Sequence, residues 1–186
     1  MSPKEEKRPL DILYEDNHII AVNKRPSQIV QADKSGDSPL SDSVKEYIRI
    51  KYKKPGRVFL GLCHRLDRPA SGVVVFGRTS KALSRLNEIF RARRAEKIYW
   101  AIVKSPPPQA EAYLTHSLKK NQQQNKSYVV HEETKGAKKA TLSYRLLLTL
   151  DNYYLLEVKL HTGRHHQIRV QLASIGSPIR GDLKYG

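Results

Sequence analysis

The chain has 186 residues, enough for one domain with a small extension, and its 39% hydrophobic fraction suffices for one core. Its 34 Lys and Arg against 18 Asp and Glu leave a net charge of +16, which points to a polyanionic partner, nucleic acid first. The single cysteine excludes an intrachain disulfide and a cysteine-built zinc site, and neither a signal peptide nor a bilayer-spanning apolar run is present, so the cytoplasm is the expected location and no membrane is expected as a partner.

In chain order, the turn-prone Glu15-Asp16-Asn17 precedes a short apolar run over residues 17–23 that reads as a strand. Pro26, which cannot donate to a ladder, ends it. Ser38 is placed as N-cap and Pro39 at the first position of a helix, with Leu40, Val44, Tyr47 and Ile48 on one apolar stripe. Lys53-Lys54-Pro55-Gly56 stops that helix. Residues 58–63 read as a buried strand broken by Gly61, and residues 72–76, β-branched and apolar, as another. Thr79 or Ser80 caps the clearest helix, whose apolar positions are Ala82, Leu83, Leu86, Ile89 and Phe90. Arg91, Arg93 and Arg94 at its end suit either the helix dipole or contact with phosphates.

Residues 97–103 form a strand. Residues 105–112 are a Pro-rich loop and 119–126 a polar loop, both expected to be mobile. Strands over 127–131, 139–150 and 152–160 follow, the last two joined by a tight turn at Asp151-Asn152. A final helix over residues 165–175 has Ile168, Leu172 and Ile175 on one face, with Gly163 allowing a tight approach and Gly176 a C-terminal stop. The sum is an α+β domain, a mostly antiparallel mixed sheet flanked by helices and loops.

Two segments concentrate polar groups that could do chemistry. Residues 63–72 read C-H-R-L-D-R-P-A-S-G, with Asp67 between Arg65 and Arg68. A carboxylate among cations stays ionised and can act as nucleophile or base, or can serve as a structural ion pair in a turn. Cys63 reads as a small buried filler. Residues 161–171 read H-T-G-R-H-H-Q-I-R-V-Q and cluster Arg164, Gln167 and Arg169. His161 and His165 are spaced for a metal pair, but Gly163 lies between them and no acidic or cysteine ligand is near, so no metal is expected. No Gly-rich phosphate loop is present, so no nucleotide cofactor is indicated.

The run His64-Arg65-Leu66-Asp67-Arg68-Pro69-Ala70-Ser71-Gly72 resembles the H-R-L-D-R-x-T-S-G signature of the RluA-type RNA pseudouridine synthases. Three further blocks resemble that family in its order: Tyr14-Glu15-Asp16 through Val22-Asn23-Lys24, then Lys97-Ile98-Tyr99-Trp100-Ala101, then residues 162–170 followed by Gly181-Asp182. The resemblance implies a pseudouridine synthase-like fold and an enzyme that flips a uridine out of its stack, breaks its glycosidic bond and rejoins the base through C5. It implies Asp67 as the catalytic carboxylate, Arg169 as its ion-pair partner, and Tyr99 as the ring that packs on the base and takes part in proton transfer at C5. Ile168 would be the opposing apolar contact, and Arg65 the side chain that fills the gap left by the base. His64, Leu66, Arg68, Arg164 and Gln167 are the remaining expected substrate contacts.

No cofactor and no metal are implied. The partner would be a stem-loop of ribosomal or transfer RNA, and the protein a monomer. Residues 1–9 are read as a charged tail and 10–186 as the catalytic domain.

The chain departs from the family pattern at Ala70, where Thr is usual, and at Gln171 and Ser177, where His is usual. It is expected to lack the amino-terminal S4 domain of many relatives and to be incomplete at its C-terminal end, since members usually continue beyond the G-D-x-x-Y-G stretch. The alternative is a catalytically silent RNA-binding or RNA-chaperone protein using the same basic surface.

Overall fold

A computed structural model of the chain describes residues 9–186; residues 1–8 of the expected charged tail lie outside the described residues. The chain divides into two compact units, one ending at Arg94 and the other spanning Ala95–Gly186.

The first unit contains β1 (Ile12–Glu15), β2 (Ile19–Lys24), α1 (Leu40–Lys51), β3 (Gly61–Leu62), β4 (Gly72–Gly77) and α2 (Ser80–Arg91). The strands form an antiparallel sheet in the order β1-β2-β4-β3. Asp16 makes the β1–β2 hairpin, its Oδ1 accepting from the backbone N–H of His18 and Ile19 at 2.7 Å each. Ile20, Val22, Val74 and Phe76 bury one face of the sheet against Val30 and against Leu40, Val44 and Ile48 of α1, the stripe that the helical spacing predicts. The helix begins one residue later than expected: Pro39 is the N-cap, extended, and no side chain caps it. The cap is supplied instead by the preceding loop, where the carbonyls of Ile29 and Val30 accept from the N–H groups of Leu40 and Ser41 at 2.8 and 3.1 Å. For α2 the cap is the expected one, Thr79 Oγ1 accepting from Ala82 N at 3.1 Å.

The strand expected over 58–63 shrinks to two residues, because only Gly61 and Leu62 find partners on β4, at Gly77 and Phe76. Gly61 and Gly77 are opposite one another and α2 lies directly on them. A Cβ on Gly61 would sit 2.6 Å from Leu83 Cδ2, and one on Gly77 would sit 2.9 Å from the Leu83 backbone nitrogen. Gly61 is therefore a helix seat and not a break.

The second unit contains β5 (Ile98–Val103), β6 (Glu111–Asn121), β7 (Lys126–Val130), β8 (Lys138–Thr149), β9 (Tyr154–Leu160) and α3 (Gln167–Ser174). Its sheet has the order β5-β9-β8-β6-β7, and every pairing in both sheets is antiparallel. Ala101, Val103, Leu142, Tyr144, Leu156 and Val158 form its core with Leu172 of α3, and Ile168 and Ile175 pack on the edge of that cluster.

The polar loop expected over 119–126 is a hairpin. Lys119, Lys120 and Asn121 pair with Tyr128, Ser127 and Lys126, so only residues 122–125 turn. Helix α3 is shorter than expected and starts after His166, which is left-handed at φ 53°; the tight approach is made there and not at Gly163. Its end is a Schellman motif, with Gly176 at φ 82°, Gly176 N donating to Ala173 O at 3.1 Å and Ser177 N to Leu172 O at 3.0 Å.

Candidate active site

The segment bearing Asp67 leaves β3 and returns on β4, so a sheet holds both its ends. Asp67 is exposed, and its carbonyl accepts from Ala70 N at 3.1 Å, closing a turn over Arg68 and Pro69. The segment ends at Gly72, whose φ of +129° disfavours any side chain. His64 anchors its start: Nε2 accepts from Val75 N at 2.9 Å, and the ring stacks on Phe90 of α2 with centroids 4.9 Å apart. The accepting Nε2 places the ring proton of a neutral His64 on Nδ1. Leu66 packs against the first core. Its side chain pins the loop to that core.

Beneath this loop lies Lys24, which sequence reasoning quoted but gave no role. Its side chain is fully buried, and Nζ donates to the carbonyls of Arg25, Gln28 and Arg68 at 2.9, 2.7 and 3.1 Å. Burial pushes its pKa down to about 8, against the attraction of Asp67, which acts the other way. The loop carbonyl of Arg68 and the charge of Asp67 thus both face one buried cation. The signal was present in the alternation of β2, which puts Lys24 on the face of Ile20 and Val22, opposite Gly72.

Of the two arginines flanking Asp67, Arg65 is exposed and Arg68 pairs with Asp37 at the surface. Cys63 is half-buried: its thiol donates to Val75 O at 3.3 Å and burial raises its pKa.

In the second unit Tyr99 lies on β5 opposite Val158 and packs against the second core, as does Ile168 from α3. Gln167 is buried and its amide is committed. Oε1 accepts from Thr162 Oγ1 at 2.7 Å and from Arg164 N at 2.9 Å, and Nε2 donates to Thr141 O at 3.0 Å. It staples the T-G-R turn to β8, and Arg164 is drawn to the same strand, Nε donating to Lys139 O at 2.9 Å.

His161 bonds Ser143 at 3.0 Å and stacks on Tyr113, while His165 bonds Ser127 and Asn125; each is occupied by different partners. Arg169 is gripped by a residue that sequence reasoning left without a role. Nε donates to Asp182 Oδ2 and Nη2 to Asp182 Oδ1, both at 2.7 Å. Burial favours a neutral Asp182, but the bonds from Arg169 and from the Lys184 N–H outweigh it and hold the carboxyl below its usual range.

Each unit thus holds a charged residue fixed by structure: a carboxylate on an anchored loop, and an arginine in a two-point clamp. The chain belongs to the RNA pseudouridylate synthase family, whose model matches residues 18–174. It is similar to ribosomal large subunit pseudouridine synthase D of Borreliella burgdorferi, at 33% identity over 96% of this chain and 55% of that protein. It is also similar to ribosomal large subunit pseudouridine synthase C of Buchnera aphidicola, at 36% identity over 94% of this chain and 54% of that protein. Among solved structures, human RNA pseudouridylate synthase domain containing 4 matches with a TM-score of 0.80 and 26% identity, covering 95% of this chain and 69% of that one. These similarities bear out the RluA-type resemblance and the α+β fold. The chain spans just over half the length of the curated relatives it matches.

Proposed function

We propose that this protein is an RNA pseudouridine synthase that isomerises specific uridines with Asp67 as the catalytic carboxylate. The observation that carries this reading is the loop of residues 63–72. It presents one exposed carboxylate from between two strands, over a buried lysine, in the sequence context that the family shares. The names of the relatives support ribosomal RNA of the large subunit as the substrate class, with a transfer-RNA stem-loop as the other arm of the test.

The reaction is an isomerisation. The N1–C1′ bond breaks, a C5–C1′ bond forms, and the proton leaving C5 is balanced by one gained at N1. No electrons are exchanged with an outside partner, so the chemistry calls for positioning and charge and not for a redox cofactor. A uridine within a helix hides its C5 edge, so the base must leave the stack.

In this reading Asp67 assists cleavage at C1′, Tyr99 packs on the base and serves proton transfer at C5, and Arg169 is the ion-pair partner of the carboxylate. Arg65, exposed on the Asp67 loop, fills the gap in the stack with its flat guanidinium. Residues 10–186 act as one catalytic domain, and a cytoplasmic monomer is the simplest form.

Pseudouridine mapping of cellular RNA with wild-type protein and with Asp67→Asn tests this. Loss of one or a few defined pseudouridines in the variant is the expected result and names the substrate. An unchanged map with well-expressed protein, and no other synthase covering the site, overturns the catalytic reading and favours RNA binding without chemistry.

A further inference from the structure

Arg169 acts in the proposed reaction through the direction in which its guanidinium points, and that direction is set within the second unit. Asp182 takes the Nε–Nη2 edge with two parallel bonds of 2.7 Å, the fork geometry that fixes both angle and distance. The Asp182 side chain is 4% exposed and that of Arg169 is 16% exposed, so water does not compete for the pair as it would at the surface. The carboxylate is itself held. Oδ1 also accepts from Lys184 N at 2.9 Å and Tyr185 N at 3.3 Å. The Tyr185 ring then faces the guanidinium, 5.2 Å from Cζ to the ring centroid, and its hydroxyl accepts from Ser127 N at 2.7 Å on β7.

The backbone that carries Asp182 is tied to the strand that carries Tyr99. Ile179 bridges to Val103, and Arg180 N donates to Ile102 O at 2.8 Å. Gly181, at φ +74°, makes the turn that brings Asp182 back toward α3. A single segment therefore registers against β5 and clamps the arginine of α3.

We propose that Asp182 is a positioning residue for the isomerisation: it aims Arg169, with the Tyr185 ring as backing, and does not itself touch the uridine. This rests on the function proposed above for Arg169.

The test is a double-mutant cycle of Asp182→Ala and Arg169→Ala, measured under single turnover on an RNA that the wild type modifies, with Asp67→Asn as the chemical blank. Asp182→Ala is expected to slow the reaction about 100-fold, the scale of a misplaced catalytic group, with RNA affinity within about threefold of wild type. The double variant should be no slower than Arg169→Ala alone, because the two residues act as one unit. Effects that multiply, or an Asp182→Ala rate within about threefold of wild type, overturn the proposal. Asp182→Glu should recover part of the rate and Asp182→Asn little of it; equal rates for the two also overturn it. If Asp182→Ala does not fold by circular dichroism, Asp182→Asn carries the same cycle.

An arm independent of activity follows the Arg169 Nε–H by nitrogen-edited NMR. Its protection from exchange should be present in wild type and lost in Asp182→Asn. Retained protection overturns the clamp. A wild type that modifies no RNA, yet protects this proton, overturns the functional reading and the catalytic half of this proposal while supporting the clamp.

Discussion

Lys24 is a buried cation, kept charged by three backbone carbonyls and by the nearby charge of Asp67. Its pKa near 8 lies well below the roughly 10.4 of an unfolded chain. Between those values the unfolded state binds more protons, so this group's contribution makes the fold more stable as pH rises through that window. Removing the negative charge of Asp67 should lower the Lys24 pKa further, since that charge favours the ammonium. Following the lysine Cε carbon shift against pH in wild type and in Asp67→Asn checks this; an unchanged or raised midpoint would show that the carboxylate does not act on Lys24. The residues proposed to carry the chemistry, Asp67, Tyr99 and Arg169, could be nominated from motif context, but the contacts that hold Asp67 and Arg169 in place could not. The alternation of β2 puts Lys24 on the buried face, but its three carbonyl partners and the Asp182 clamp on Arg169 depend on loop and turn geometry that no spacing rule reveals. Gln167 and Leu66 stand beside Arg169 and Asp67 in sequence, and their side chains turn into the protein, which sequence proximity does not tell.

At the level of elements, the glycine pair under α2 decides how close that helix lies to the sheet, and through Phe90 and His64 it decides where the Asp67 loop starts. Gly77→Ala should destabilise the protein by about 1–3 kcal/mol, the usual range for overpacking. Its new methyl would meet the Leu83 backbone, so Leu83→Ala should not relieve it. Gly61→Ala meets Leu83 Cδ2 at 2.6 Å and Cβ and Cδ1 at 2.9 Å each, so the same second substitution, which removes the two methyls but keeps Cβ, should recover part of the loss. Urea unfolding of the four variants reads both outcomes, and equal rescue of the two glycine variants would contradict the contact geometry.

A second joint lies at Glu15, where Tyr47, Lys51 and Tyr52 donate at 2.7–2.9 Å and Arg78 pairs at 3.0 Å. Burial alone would raise this carboxyl, but the bonds from Lys51, Tyr52 and Tyr47 outweigh it and set it below its usual range. Its stabilisation is therefore full above the unfolded carboxylate pKa and lost as pH falls through the folded one. Thermal melting against pH should show a shallower acid decline in Glu15→Gln. Elements with an unbroken apolar period, such as α1, α2, β4 and β5, could be read from sequence. Strand β6 could not, because His116 interrupts the alternation of Ala112, Leu114 and Leu118, and its last residues are held by pairing with β7, not by burial. Strand β1 is four residues of mixed polarity held by pairing with β2 and by the Asp16 turn, and a window that short carries no period.

Over the whole molecule the charge of +16 is too large to be spent on the internal pairs, and under the proposed function it sets how the protein meets RNA. Each phosphate neutralised releases bound counterions, so the logarithm of affinity should fall linearly with the logarithm of salt concentration, by about 0.7 per single-stranded phosphate contact. Four or more contacts would give a slope near −3, roughly an eightfold loss of affinity for each doubling of salt. In the proposed function Asp67 serves the chemistry, and its charge carries the sign that repels phosphate. Asp67→Asn should therefore bind RNA at least as tightly as wild type and with the same slope while forming no pseudouridine. Filter binding from 50 to 400 mM salt, on the order of the range over which such contacts are titrated, separates the two functions. A flat salt dependence would detach the basic surface from RNA. A steep one shared by both proteins, with activity lost only in the variant, would assign the charge to recognition and Asp67 to catalysis.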